Sequence, residues 1–193
     1  MQTISQLLPQ EERLAVSNEQ QYLKIGLPKE RTFQEKRICL TPDEVAVLVT
    51  NGHQILVEAG AGEEAHFPDA DYSEAGAEIV YDTEAVFACP MVLKVEPPTT
   101  EELAYFNPQT VLLSALQLNT QDIAYFEMLT QKQITALAFE YIKDEAENYP
   151  IQQSVDELTG IAAVLTASEL ITEENRLLFG NITGVPPIEV VLL

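Results

Sequence analysis

Apolar and polar positions alternate at Leu23, Ile25 and Leu27, the two-residue period of a strand. The run breaks at Gly26-Leu27-Pro28, because proline cannot continue a central ladder. A polar loop follows, and Thr41-Pro42-Asp43-Glu44 opens a helix predicted over 42–51. Threonine at the cap, proline at the first helical position and acids in the first turn are the expected start signals. Asn51-Gly52, residues that tolerate positive φ, close it. Short apolar runs then predict strands at 54–57, 78–80, 91–95, 110–113 and 134–139. Helices are predicted at 83–88 and 122–131, with part of another at 103–106 and a loop with a short helix across 63–76. Strands and helices alternating at spacings of roughly twenty residues predict right-handed crossovers and a parallel sheet covered on both faces. Beyond Pro150, Leu158, Ile161, Ala162 and Leu165 share one face of a long helix predicted over 154–170. Segment 2–21 carries a thin apolar stripe (Ile4, Leu7, Leu8, Leu14) and reads as a polar helix or arm. At the other end, 181–187 is a turn-rich linker and 189–193 a strand.

Composition narrows the class. A chain of 193 residues that is 46% hydrophobic can bury a real core, as one large domain or one domain plus a fragment. Asp+Glu number 31 against ten Lys+Arg, a formal charge of −21, which argues against nucleic acid and against an anionic membrane surface. No run of eighteen apolar residues exists and 1–22 lacks the regions of a signal peptide, so a cytoplasmic protein without membrane insertion is expected. Cys39 and Cys89 lie in separate apolar runs and read as buried thiols rather than a metal or redox pair. Two histidines, His53 and His66, are too few for a histidine-rich metal site.

The cations are unevenly placed. Five of the ten (Lys24, Lys29, Arg31, Lys36, Arg37) fall within fourteen positions, which favours an anion site over ion pairing with Glu30, Glu35 and other acids. Lys94 is the one cation between Arg37 and Lys132, and it interrupts an apolar strand just before Pro97-Pro98. It therefore belongs at the carboxyl end of that strand, where parallel sheets bind ligands. Arg37, from the loop after the first strand, should reach the same edge. The pair could hold one small carboxylate, Arg as a planar fork and Lys as a point charge. The glycine-rich Ala59-Gly60-Ala61-Gly62 follows a strand but lacks a third glycine and a clear helix after it, so a phosphate loop is not expected there.

KIGLPKERTFQEKRICLTPDEV, GHQILVEAGAGEEAHFPDADYSEAGAEIV, VLKVEPPTTEE and GVPPIEVVLL, in this order, resemble the amino-terminal domain of the alanine dehydrogenase family. The alpha subunit of proton-translocating nicotinamide nucleotide transhydrogenase shares that domain. The resemblance covers about residues 23–193. It implies a flavodoxin-like or Rossmann-like α/β substrate domain over 23–150, after the arm at 1–22. An interdomain helix and linker would follow over 151–188, and 189–193 would be the truncated first strand of an NAD-binding domain.

The resemblance also implies roles. Arg37 matches the arginine that binds the carboxylate of pyruvate or alanine, and Lys94 the lysine on the substrate's carbonyl side. Gln117, in Leu116-Gln117-Leu118, stands where the family has its catalytic histidine. Glutamine cannot act as a general acid or base; it can hydrogen-bond the carbonyl oxygen. Gln153 and Asp156 match part of the transhydrogenase loop that positions nicotinamide, with the arginine of that loop absent near Asn148, while Ser154 and Glu157 also fit a helix-capping box. The implied reaction is L-alanine, NAD and water to pyruvate, ammonia and NADH, in a protein that is a homo-oligomer at full length. With NAD held mainly by the other domain, 1–193 is expected to be inactive and to bind NAD weakly or not at all. A transhydrogenase-type domain, or a binding module for small acids without chemistry, are the alternatives. An apolar strand at 190–193 would seek a partner edge, which makes a dimer through the C-terminus an expectation.

Overall fold

A computed structural model describes residues 22–32 and 35–175. Six parallel strands form one sheet: β1 (Lys24–Leu27), β2 (Gln54–Glu58), β3 (Glu78–Val80), β4 (Met91–Leu93), β5 (Val111–Ser114) and β6 (Thr135–Ala138). Their order is β3-β2-β1-β4-β5-β6. Of the two builds expected, this order selects the Rossmann-like one. Helices α1 (Pro42–Thr50), α2 (Asp69–Glu74), α3 (Thr83–Phe87), α4 (Thr100–Leu103) and α5 (Ile123–Gln131) make the crossovers, and α6 (Pro150–Asn175) follows β6.

The period of two sorts the strand side chains into two cores. Ile25, Leu27, Ile55 and Val57 pack on one face with Val45 of α1 and Tyr72 of α2. Val92 and Leu112 face the other way, with Phe87, Leu103, Phe106, Tyr125 and Leu129 from the remaining crossovers. Both faces are dry, which is why the strands read as short apolar runs. Gly26 sets how closely α3 approaches. A Cβ there would lie 2.2 Å from the Val86 carbonyl oxygen.

Three departures from the expectation bear on the site and its surroundings. The helix placed at 103–106 is instead α4, ending at Leu103: the Thr99 hydroxyl accepts from Glu102 N (3.2 Å) and the Glu102 carboxylate accepts from Thr99 N (2.8 Å). This reciprocal cap fixes the start three residues earlier than the apolar run Leu103–Phe106 suggests. The strand expected over 91–95 ends at Leu93, so Lys94 is the first residue beyond it. Helix α6 begins at Pro150, and Ser154 is inside it, donating to the Pro150 carbonyl at 2.9 Å rather than capping a helix. The expected polar arm, linker and last strand lie outside the described residues, apart from Tyr22.

Candidate active site

The strand order turns at β1 and β4, whose connections leave in opposite directions and open a crevice at their carboxyl ends. The loop 28–41 leaves β1 there, and Lys94, Val95 and Glu96 leave β4 beside it. The third contribution comes from β5. Its chain turns at Leu116 and Gln117, whose N–H groups both donate to Glu140 Oε1 (2.9 and 3.0 Å) from the short helical turn after β6. Gln117 takes φ 47°, the left-handed region, and this directs its side chain back toward β4.

Two ion-pair groups result. Lys94 is fully enclosed, with Nζ 2.7 Å from Glu30 Oε2 and 3.6 Å from Glu102 Oε2. Glu30 also accepts from the Val95 N–H at 2.6 Å. Burial pushes the Glu30 carboxyl above its ordinary value, with Lys94 and the backbone N–H groups offsetting part of that. One lysine thus serves two buried carboxyl groups, and Glu102 Oε1 has no hydrogen-bond partner.

Arg37 belongs to the second group. Glu35 binds it in two places, Nε at 2.9 Å and an Nη at 2.7 Å, and also accepts from its backbone N–H at 2.8 Å. Burial pushes Glu35 upward, but the Arg37 hydrogen bonds outweigh it and hold the carboxyl below its usual value. Glu96 Oε1 lies 3.9 Å from the same guanidinium, and Glu96 Oε2 accepts from Gln117 Nε2 at 2.7 Å. The Arg37 side chain is 55% exposed. It opens on a cleft of about 330 Å³ lined also by Glu96, Gln117, Thr120, Glu140 and Tyr141.

Arg37 and Lys94 therefore share one end of the sheet and act electrostatically on the same Glu30 and Cys39. Their charged ends do not converge on one cleft as expected: Arg37 lines the cleft, while Lys94 is enclosed on Glu30 because burial leaves its ammonium no partner but a carboxylate. The other cations disperse: Arg31 pairs with Glu58 at 2.7 Å and Lys36 with Glu64 at 3.7 Å. The crowding in the loop thus reads largely as pairing with the chain's own acids. Gln153 and Asp156 lie on the exposed face of α6 and bond one turn away, Gln153 to Glu157 (3.2 Å) and Asp156 to Gln152 (2.7 Å). Glu96 is the residue that sequence reading missed. Its signal was a carboxylate two places past Lys94 at the same strand end.

A dinucleotide's pyrophosphate needs free N–H groups at a glycine-rich turn. In Ala59–Gly62, Ala59 N donates to Val80 O, Gly60 N to Asp69 Oδ1 and Ala61 N to Glu58 O, so these are committed within the chain. This turn does not fit a pyrophosphate cradle.

The family model of the alanine dehydrogenase/PNT N-terminal domain matches residues 26–165. Alanine dehydrogenase 2 of Staphylococcus aureus (strain USA300) is 33% identical over 174 residues, covering 89% of this chain and 46% of that protein. A solved L-alanine dehydrogenase superposes with a TM-score of 0.80 at 30% identity, over 86% of this chain and 46% of that one. A transhydrogenase from Sinorhizobium meliloti gives 0.57 at 24% identity, over 62% and 35%, and shares the fold. The chain spans about half the length of the curated relatives it matches.

Proposed function

Since the chain belongs to the alanine dehydrogenase/PNT N-terminal domain family, we propose that it is the substrate half of an NAD-dependent alanine dehydrogenase-type oxidoreductase. The whole protein would interconvert L-alanine and pyruvate, with NAD held by a domain these residues do not supply. The observation that carries this reading is a half-exposed arginine in a cleft at the crevice between β1 and β4.

Arg37 binds the substrate carboxylate. A guanidinium carries five N–H donors, and Glu35 uses two of them. The remaining donors are free to fork onto a ligand while Glu35 keeps the plane fixed. Lys94, enclosed with its Nζ on Glu30, acts on the carbonyl or imine through its charge rather than by a direct hydrogen bond. Gln117 orients the same oxygen by hydrogen bonding, its backbone held by Glu140. Nothing in this set carries the dinucleotide, whose chemistry is to accept the substrate's two electrons when bound elsewhere. Residues 1–193 alone bind substrate without turning it over.

Calorimetry with pyruvate tests the assignment. Arg37→Ala should weaken binding by about 1.5–3 kcal/mol, the worth of a charged hydrogen bond. An unchanged affinity would remove Arg37 from the site.

A further inference from the structure

We propose that Glu96 is the residue that meets the substrate's nitrogen and takes its proton, a step that the amide of Gln117 cannot perform. The inference rests on the reading of Arg37 as the carboxylate clamp and goes beyond it by assigning the other end of the substrate.

The geometry is that of a bracket. Arg37 and Glu96 face one another across 3.9 Å, longer than a hydrogen bond, at the wall of a single cleft. An α-amino acid is a zwitterion whose carboxylate and ammonium are separated by one carbon. It can therefore place its anion on Arg37 and its cation on Glu96. A 2-oxo acid has the anion and no cation, so it gains from Arg37 alone and meets Glu96 as a repelling neighbour. Glu96 is also anchored rather than loose: Gln117 Nε2 donates to Oε2 at 2.7 Å, which leaves Oε1 toward Arg37.

The chemistry requires such a group. An ammonium nitrogen has no lone pair and cannot form a C=N bond to Cα. A base must first remove a proton: the N–H bond breaks, an O–H bond forms at Glu96, and the electron pair stays on nitrogen. Neither amide atom of Gln117 can hold that proton. Among the ionisable groups of the cleft, Glu96 is the one whose side chain meets those of both Arg37 and Gln117. Glu35 carries the two hydrogen bonds of Arg37, on the same guanidinium that Glu96 faces. Glu140 Oε1 accepts the Leu116 and Gln117 N–H groups, which fixes that carboxylate to the β5 turn, and Tyr141 lines the same cleft. Glu30 lies below, on Lys94.

The test is calorimetric titration of the whole chain with L-alanine and, separately, with pyruvate, for the unaltered protein, Glu96→Gln and Arg37→Ala. Glutamine keeps the shape and can still accept from Gln117, and a urea midpoint checks that the fold is intact. Glu96→Gln should weaken L-alanine binding at least about tenfold at pH 7, a loss of one charged hydrogen bond. Pyruvate should bind unchanged or more tightly. Equal affinity for L-alanine in the variant, or equal losses for both ligands, overturns the proposal while leaving the Arg37 assignment standing. Binding of pyruvate that survives Arg37→Ala overturns that assignment; failure of the unaltered chain to bind L-alanine overturns the Glu96 proposal, and failure to bind either ligand overturns both.

Discussion

Lys94→Met removes the one cation from a pocket that holds two carboxylates. The side chains of Glu30 and Glu102 are 6% and 4% exposed, so water cannot replace the lysine at either. The variant's escape is to protonate a carboxyl. At pH 7, adding a proton to a carboxylate with an ordinary value of 4.5 costs 2.5 units at about 1.36 kcal/mol each, or about 3.4 kcal/mol. That agrees with the roughly 3–5 kcal/mol found for breaking one partner of a buried pair. At pH 5 the same protonation costs about 0.7 kcal/mol. The sign follows from Glu30, whose folded value lies above its unfolded one. A raised carboxyl contributes stability below the unfolded value and loses it as pH rises through the folded value. Without Lys94 the folded value climbs further and the loss deepens. Urea unfolding followed by far-UV circular dichroism, variant against unaltered chain, should show a difference of about 3–4 kcal/mol at pH 7 that falls to about 1 kcal/mol at pH 5. A penalty under about 1 kcal/mol at pH 7, or the same penalty at both pH values, would refute a buried triad.

Gly26→Ala should destabilise by about 1–3 kcal/mol in the same urea assay, because its Cβ would press on the Val86 carbonyl; a neutral result would mean that α3 packs farther from the sheet. Thr99→Ala should cost about 1 kcal/mol through loss of the α4 cap, visible as a lower urea midpoint with unchanged slope. Burial, with Glu30 adding to it, pushes the Cys39 thiol up to about 12, so a disulfide reagent at pH 8 should leave Cys39 unmodified until denaturant is added; rapid labelling of the native chain would contradict that.

The sheet was legible because each strand is a short apolar run and each crossover has turn chemistry at its ends. Lys94 stood out for a related reason, as a cation where the pattern demands an apolar residue. Its partners did not, because Glu30 lies 64 residues away in sequence and reaches Lys94 through the pairing of β1 with β4. Glu102 carried a readable signal in Thr99-x-x-Glu102, yet the apolar Leu103–Phe106 drew the helix toward them. Pro150 read as punctuation when it is the first residue of α6. The role of Glu96 needed three chain segments at once, since Arg37, Glu96 and Gln117 meet where β1, β4 and β5 end. No local pattern encodes that meeting.

The central claim is that this chain supplies a small-carboxylate site and not a dinucleotide site. Paired calorimetric titrations of residues 1–193 with pyruvate and with NADH test it most directly. Pyruvate should bind with measurable heat, Arg37→Ala should weaken that binding by about 1.5–3 kcal/mol, and NADH should show no micromolar binding. Micromolar NADH binding with no response to pyruvate would contradict it.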